Sequence, residues 1–194
     1  MTDLHKQVDD ATLVPPDKRA DMIPSHITLR RELNELEQAN ILTASVWALQ
    51  RRHDPTSEAF AKKLHRRMFR KVWRWAGRYR TANTNLGVDR ALIQPRLYEA
   101  LDNTRFWMEN KTFPADEIAV RFHHALVSVH PFPDGNGRWS RLMADVLAAR
   151  LDCPRFTWGG GDLGETGRMR DKYIDTLKAA DNQDFTTLLA FARS

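Results

Sequence analysis

The sequence predicts a mostly α-helical domain interrupted by one β-hairpin-like excursion. Three observations predict it. Apolar residues recur at helical spacing through most of the chain, proline and glycine separate those stretches, and one polar segment near 77–95 breaks the period. A chain of 194 residues suits one domain with a small appendage. The expected division is an N-terminal arm and helix over 1–55 and the main helical domain over 56–194.

Met1 to Ser25 reads as an irregular arm, with weak periodicity and Pro15, Pro16 and Pro24. Thr28 to Arg52 turns helical, with Leu29, Leu33, Leu36, Asn40 and Val46 among the spaced positions. Asp54-Pro55 reads as a helix start, with Asp as N-cap and Pro at the first helical position. That helix is expected to reach about Ala76, on the stripe Phe60, Leu64, Met68, Val72 and Trp75. From Gly77 to Pro95 the turn formers Asn83, Asn85 and Gly87 sit between Tyr79-Arg80-Thr81 and Leu92-Ile93, which reads as an extended hairpin-like loop.

A helix follows from Arg96 to Asn110. Pro114, Asp116 and Glu117 begin the next, with acids where the helix dipole favours them. Its stripe Ile118, Phe122, Ala125, Leu126 and Val129 faces a core and ends at His130-Pro131. Arg138 to Arg150 is helical again, with Trp139, Leu142, Met143, Val146 and Leu147 on one side. Gly159-Gly160-Gly161 marks a loop, and two short helices finish the chain. The last carries Phe185, Leu188, Leu189 and Ala192 at helical spacing, with Phe191 beside them.

Composition removes several function classes. The single cysteine, Cys153, can form neither an internal disulfide nor a cysteine-based zinc site. Met1 to Asp10 is polar and lacks the apolar stretch of a signal peptide, and no run approaches a membrane span. The expectation is a cytoplasmic protein without a membrane partner. The net charge of +5 is uneven: residues 59–88 hold nine bases and no acid, while the remaining 21 bases face 25 acids. Lys62, Lys63, Arg66, Arg67, Arg70, Lys71 and Arg74 fall on one broad helical face. An acidic protein partner is the first reading of that face. Nucleic acid is the second, and a basic nucleic-acid-binding module is the alternative function it offers.

The chemistry concentrates in His130-Pro131-Phe132-Pro133-Asp134-Gly135-Asn136-Gly137-Arg138-Trp139-Ser140-Arg141. The prolines disfavour helix and the glycines permit positive φ, so successive N–H groups can turn to one side as an anion nest. The loop feeds into a helix N-terminus, whose free N–H donors and partial positive charge suit phosphate. Arg138 and Arg141 share a face in its first turns. That placement opposes the dipole and makes sense if an anion sits there. Asp134 supplies a hard oxygen ligand of the kind Mg²⁺ on a polyphosphate takes, and His130 can accept a proton near neutral pH. Together these point to phosphoryl or nucleotidyl transfer. A histidine metal site built from His123, His124 and His130 is disfavoured, because adjacent histidines point about 100° apart on a helix.

This stretch resembles the Fic (Fic/Doc) signature, His-Pro-Phe-x-Asp/Glu-Gly-Asn-Gly-Arg-x-x-Arg, with every fixed position filled. The resemblance covers roughly residues 56–191 and implies a Fic-type helical domain whose hairpin-like flap is the 81–93 stretch. The short length and the Glu32-Leu33-Asn34 to Asn40-Ile41 region resemble the small Fic proteins called mobile mystery protein B. The resemblance implies that 56–194 is catalytic and that AMP passes from ATP to a Ser, Thr or Tyr hydroxyl of a target protein. His130 would be the general base and Asp134 the Mg²⁺ ligand. Gly135, Asn136 and Gly137 would form the anion hole, Arg138 would bind phosphate, and Arg141 would bind the β- or γ-phosphate. Phe132 would be a core anchor. Thr84, Asn85, Leu86, Gly87 and Val88 would dock the target segment, and Tyr173 would border the base pocket. Doc-like members, which phosphorylate their targets, carry lysine at the Gly137 position, so glycine favours nucleotidyl transfer over that kinase alternative.

Many Fic proteins carry an inhibitory helix with Ser/Thr-x-x-x-Glu-Gly/Asn, whose glutamate pairs with the second motif arginine. Thr28 to Glu32 has that spacing, but Leu33 replaces the Gly or Asn. The expectation is that Glu32, or secondarily Glu37, pairs with Arg141. A separate antitoxin chain is the other route to inhibition.

Overall fold

The computed structural model describes residues 13–50, 53–160 and 167–194. The first twelve residues of the expected arm, the expected helix end at Arg52, and Gly161 lie outside them. The elements are α1 (Pro16–Arg19), α2 (Arg30–Gln50), α3 (Glu58–Phe69), α4 (Ile93–Asn110), α5 (Ala115–Val129), α6 (Asn136–Arg150), α7 (Arg168–Asp181) and α8 (Thr186–Arg193). The mostly α expectation holds. No strand forms among the described residues, where β structure is limited to two isolated bridges, Leu13 with Leu29 and Met22 with Trp73.

The organising unit is the helical hairpin α5–α6. Helix α4 packs on the outside of α5, α2 lies against both α3 and α6, and α7 pairs with α8. Phe132, from the connection between α5 and α6, and Trp139, from α6, are both fully buried and meet edge to face with ring centroids 4.9 Å apart. Phe122, Leu126, Met143 and Leu147 continue that core along the hairpin. No helix among the described residues is long and apolar enough to cross a membrane.

Three boundaries differ from expectation, each for a local reason. The Asp54 carboxylate accepts from the Thr56 N–H and hydroxyl, at 2.9 and 2.7 Å, so it closes a turn instead of capping a helix. Ser57 caps α3 instead, accepting from Phe60 N at 3.4 Å. Helix α3 stops at Phe69 and not near Ala76, because the next backbone groups bond elsewhere. Ile23 N donates to Val72 O at 2.8 Å and Arg74 N to Asp21 O at 3.0 Å. Helix α4 begins at Ile93, before the expected Arg96, since Pro95 falls in its first turn, where no intrahelical N–H is needed.

The expected hairpin at 77–95 is a loop closed by side chains. Asn83 donates to Asp89 at 2.8 Å and accepts from Arg90 N at 2.8 Å, and Asp89 caps a short 3₁₀ turn through Ala91 N. These bonds take the groups that a strand ladder would have used. The basic stretch faces outward, with Lys63 and Arg66 exposed on α3 and Arg70, Lys71 and Arg74 exposed just after it. Lys62 sits over the Tyr79 ring, while Lys63 and Arg67 sit over Trp47.

Candidate active site

Helix α5 ends at His130, which adopts the left-handed conformation (φ 52°, ψ 57°) and closes the helix through its N–H to Leu126 O at 3.3 Å. A non-glycine residue there is uncommon and turns the imidazole out of the helical path. Burial, with the nearby Arg80 charge adding to it, holds the His130 imidazole below its ordinary value, so it is neutral and able to accept a proton.

The loop after His130 is fixed from within. Asn136 accepts from Phe132 N at 2.9 Å and donates to Phe132 O at 2.8 Å, and its side chain is buried. The Asn136 amide therefore braces the loop, leaving only its backbone to face an anion. Gly135 has φ 77°, and a Cβ there would lie 2.4 Å from the Phe69 ring, so conformation and packing both demand glycine. Gly137 differs: it is helical, and a Cβ would meet only the Arg141 guanidinium at 3.8 Å. Its missing side chain leaves space open toward the cleft.

His65, on the buried face of α3, supports the loop from below. Its Nδ1 accepts from Gly77 N at 3.0 Å, which leaves Nε2–H to donate to Asp134 O at 3.1 Å. Its ring stacks on Phe132 with centroids 3.6 Å apart. Burial lowers its pKa to about 3, keeping the ring neutral in that tautomer. The Asp134 carboxylate accepts from Gly135 N at 2.6 Å and faces the Lys18 ammonium at 3.4 Å. Burial alone would raise this carboxyl. Lys18, the Gly135 N–H and Arg138 outweigh it and hold the group ionised, below its usual range.

Glu37 and Arg138 meet across the site. The Glu37 carboxylate accepts from Arg138 at 2.5 Å and from the Trp73 indole N–H at 2.5 Å. The expected partner was Arg141, and the geometry assigns Arg138 instead. Glu37 lies two turns along α2 from its start, opposite the first turn of α6, where Arg138 projects. Glu32 turns back on its own helix, facing Thr28 N and Leu29 N at 3.4 Å each, so it meets neither arginine. Arg141 makes no ion pair among the described residues, and its guanidinium lies 5.5 Å over the Tyr173 ring. The Tyr173 hydroxyl pairs with His123 Nε2 at 2.8 Å, and burial lowers the His123 pKa to about 3.

His130, Asp134, Gly135, Asn136, Gly137, Arg138 and Arg141 all line one cleft of about 1660 Å³, and Glu37, Tyr173, Leu86, Gly87 and Val88 line it too. Thr84, Asn85 and Glu32 do not. Tyr173 is both a buried core residue and a cleft wall. Sequence reasoning missed His65, Trp73 and Lys18. His65 follows Leu64 on the apolar side of a basic helix, and Trp73 lies next to Val72 of the stripe. Nothing local marks Lys18, which meets Asp134 only through the fold. Among the described residues no group of three His, Cys, Asp or Glu side chains could hold a metal ion by itself.

Residues 55–148 match the Fic/DOC family. The chain is 33% identical to the protein adenylyltransferase Fic of Aedes aegypti over 88 residues, 44% of this chain and 16% of that protein. It is 32% identical to the protein adenylyltransferase fic-1 of Caenorhabditis elegans over 110 residues, 55% of this chain and 22% of that one. These curated relatives are therefore much longer than the part matched. Among solved structures, the N-terminal Fic domain of a VirB-translocated Bep effector protein from Bartonella quintana, solved with bound ADP, superposes with a TM-score of 0.66. It shares 17% identity, over 87% of this chain and 86% of that one, and so testifies to the fold. With the motif residues gathered at one helix start, residues 55–148 match the Fic/DOC family in sequence, and the chain shares the fold of a solved Fic domain.

Proposed function

We propose that this protein transfers AMP from ATP to a Ser, Thr or Tyr hydroxyl of a target protein. One observation carries the reading. The α5–α6 connection delivers a neutral imidazole, an ionised carboxylate, a helix N-terminus and a first-turn arginine to one cleft. The hydroxyl oxygen forms a bond to the α-phosphorus, the bond from that phosphorus to the β-phosphate bridging oxygen breaks, and pyrophosphate leaves. His130 accepts the hydroxyl proton. Backbone N–H groups of Asn136 and Gly137 and the charges of Arg138 and Arg141 face the phosphates, where fixed donors stabilise the developing charge, while the Gly135 N–H is held by Asp134. Tyr173 borders the space for the base. Residues 84–88 receive the target segment, with Leu86 exposed at the tip.

Mg²⁺ fits this donor set. On a polyphosphate it needs only one or two carboxylates, the rest coming from phosphate oxygens and water. Asp134 is one ionised carboxylate, and its pairing with the Lys18 ammonium at 3.4 Å is in keeping with a cation beside it. Bound there, Mg²⁺ would neutralise phosphate charge. Glu37 is the inhibitory candidate that the contacts favour over Glu32, because it holds Arg138 away from an incoming phosphate.

The test uses ATP labelled on the α-phosphate and, separately, on the γ-phosphate. Covalent α-label on a candidate target or on the protein itself, abolished by His130→Ala, is the expected result. Label only from the γ-phosphate would replace this reading with the kinase alternative, against which the open space at Gly137 argues.

A further inference from the structure

Arg80 stands where the 81–89 segment leaves the core. It is buried, yet it forms no ion pair among the described residues. Burying a guanidinium is costly unless its donors are met. Here they are met by backbone carbonyls alone. Nε donates to His130 O at 2.8 Å, one Nη to Ala82 O at 3.0 Å, and the other Nη to Val88 O. The backbone adds two bonds along the same seam, Arg80 N to Pro131 O at 3.0 Å and Val88 N to Val129 O at 3.4 Å. Gly87 closes the contact from the far side: a Cβ there would lie 2.4 Å from His130 Cβ and 2.9 Å from Val129 O.

Both ends of the loop are thus drawn onto the backbone of 129–131, the segment centred on the residue that carries the imidazole. The His130 carbonyl is one that α5 leaves unpaired at its end, and Arg80 satisfies it. Only a planar fork with several donors can reach three carbonyls set at different angles, and a lysine offers a single nitrogen. The bracket of Asn83 with Asp89 and Arg90 N then keeps the loop closed above this neck.

We propose that Arg80 is a positioning residue: its guanidinium locks the neck of the 81–89 segment to the His130 carbonyl and so fixes the distance between a docked target segment and the base. Arg80 touches neither nucleotide nor target. It sets the register in which the hydroxyl meets the imidazole. The role rests on the transfer reaction proposed above, but the clamp itself is a property of the fold and can be read without turnover.

The experiment compares the wild-type chain with Arg80→Gln, Arg80→Lys and Gly87→Ala. In the wild type, the amides of Arg80 and Val88 should exchange with deuterium more slowly than those of 84–87, and equal rates would overturn the clamp. In Arg80→Gln, exchange at Arg80 and Val88 should accelerate about tenfold or more while amides of α5 and α6 keep their rates. Transfer of α-labelled AMP should fall roughly a hundredfold, the scale of an ångström-sized misplacement, with Mg-ATP affinity unchanged. Arg80→Lys should recover little. Gly87→Ala keeps the guanidinium but forces the segment off His130, and should show the same split between transfer and nucleotide binding. It decides the matter if the Arg80 variants do not fold. ATP affinity falling in step with transfer, or transfer untouched in both Arg80→Gln and Gly87→Ala, would overturn the proposal. A wild type that transfers no α-label would defeat the activity reading alone, since the exchange measurements still judge the clamp.

Discussion

Glu37→Gln separates two tasks of one carboxylate. In the wild type it accepts from the Trp73 indole and from Arg138. Glutamine still offers an oxygen to the indole but exchanges the ion pair for a neutral contact. A hydrogen bond to a charged group contributes about 1.5–3 kcal/mol. The Glu37 side chain is 8% exposed but Arg138 is 32% exposed, so solvent screens part of this. About 1–2 kcal/mol remains. In a chain of this size each kcal/mol moves Tm by about 2–4 °C, so the melt should fall by roughly 2–8 °C. The same change releases Arg138 toward phosphate. If the full 1–2 kcal/mol appears there, transfer at subsaturating ATP rises about five- to thirtyfold. The assay pairs a thermal melt with the initial rate of α-label incorporation. Stability and rate must move in opposite directions. A rate that falls together with Tm would make Glu37 a purely structural residue and refute the argument. Glu32→Gln is the control: it touches only its own helix start, and the transfer rate should not rise.

Four further outcomes follow from the same geometry. Gly135→Ala places a methyl against the Phe69 ring at a positive φ, and should cost about 2–4 kcal/mol, seen as a lower denaturation midpoint. Gly137→Ala meets no obstacle and favours helix, so Tm should hold or rise by the equivalent of up to about 1 kcal/mol. Gly137→Lys should sharply weaken Mg-ATP binding by filling the open space. His65 and His123 are neutral in the fold with pKa values of about 3, below the 6.5 of an unfolded chain. The unfolded state therefore binds more protons below that value. Stability is complete above pH 6.5 and drains as pH falls, by about 2 kcal/mol per histidine at pH 5. Melts at pH 7.5 and pH 5 measure this, and an unchanged Tm would contradict it.

The helices were legible because their signals are local. The stripe from Ile118 to Val129 and the acids at 116–117 needed only periodicity and the dipole. The signature from His130 to Arg141 was legible for the same reason, being contiguous in sequence. What lay hidden depends on contacts between distant residues. Helix α3 ends early because the backbone of 21–23 takes its next groups, a partnership about fifty residues away. Glu37 meets Arg138 across 101 positions, and spacing along α2 pointed to Glu32 because it reads a motif and not the angle at which two helices cross. The loop at 81–89 carried turn formers, but turn formers do not say whether strands or side chains will close the turn.

Helix α3 holds the densest positive charge in the chain, yet what it sends inward is an uncharged ring. Lys63 and Arg66 face solvent on the helix, and Arg70, Lys71 and Arg74 do so just past its end, while His65 carries one hydrogen bond from Gly77 and gives one to Asp134. The two sides are insulated by the apolar row of Leu64, Met68 and Phe69. Charge on the outer side can therefore change without reaching the hydrogen bonds by which His65 joins the Asp134 carbonyl to the Gly77 amide. One helix thus separates a variable solvent face from a fixed inner one, and the loop after His130 rests only on the second.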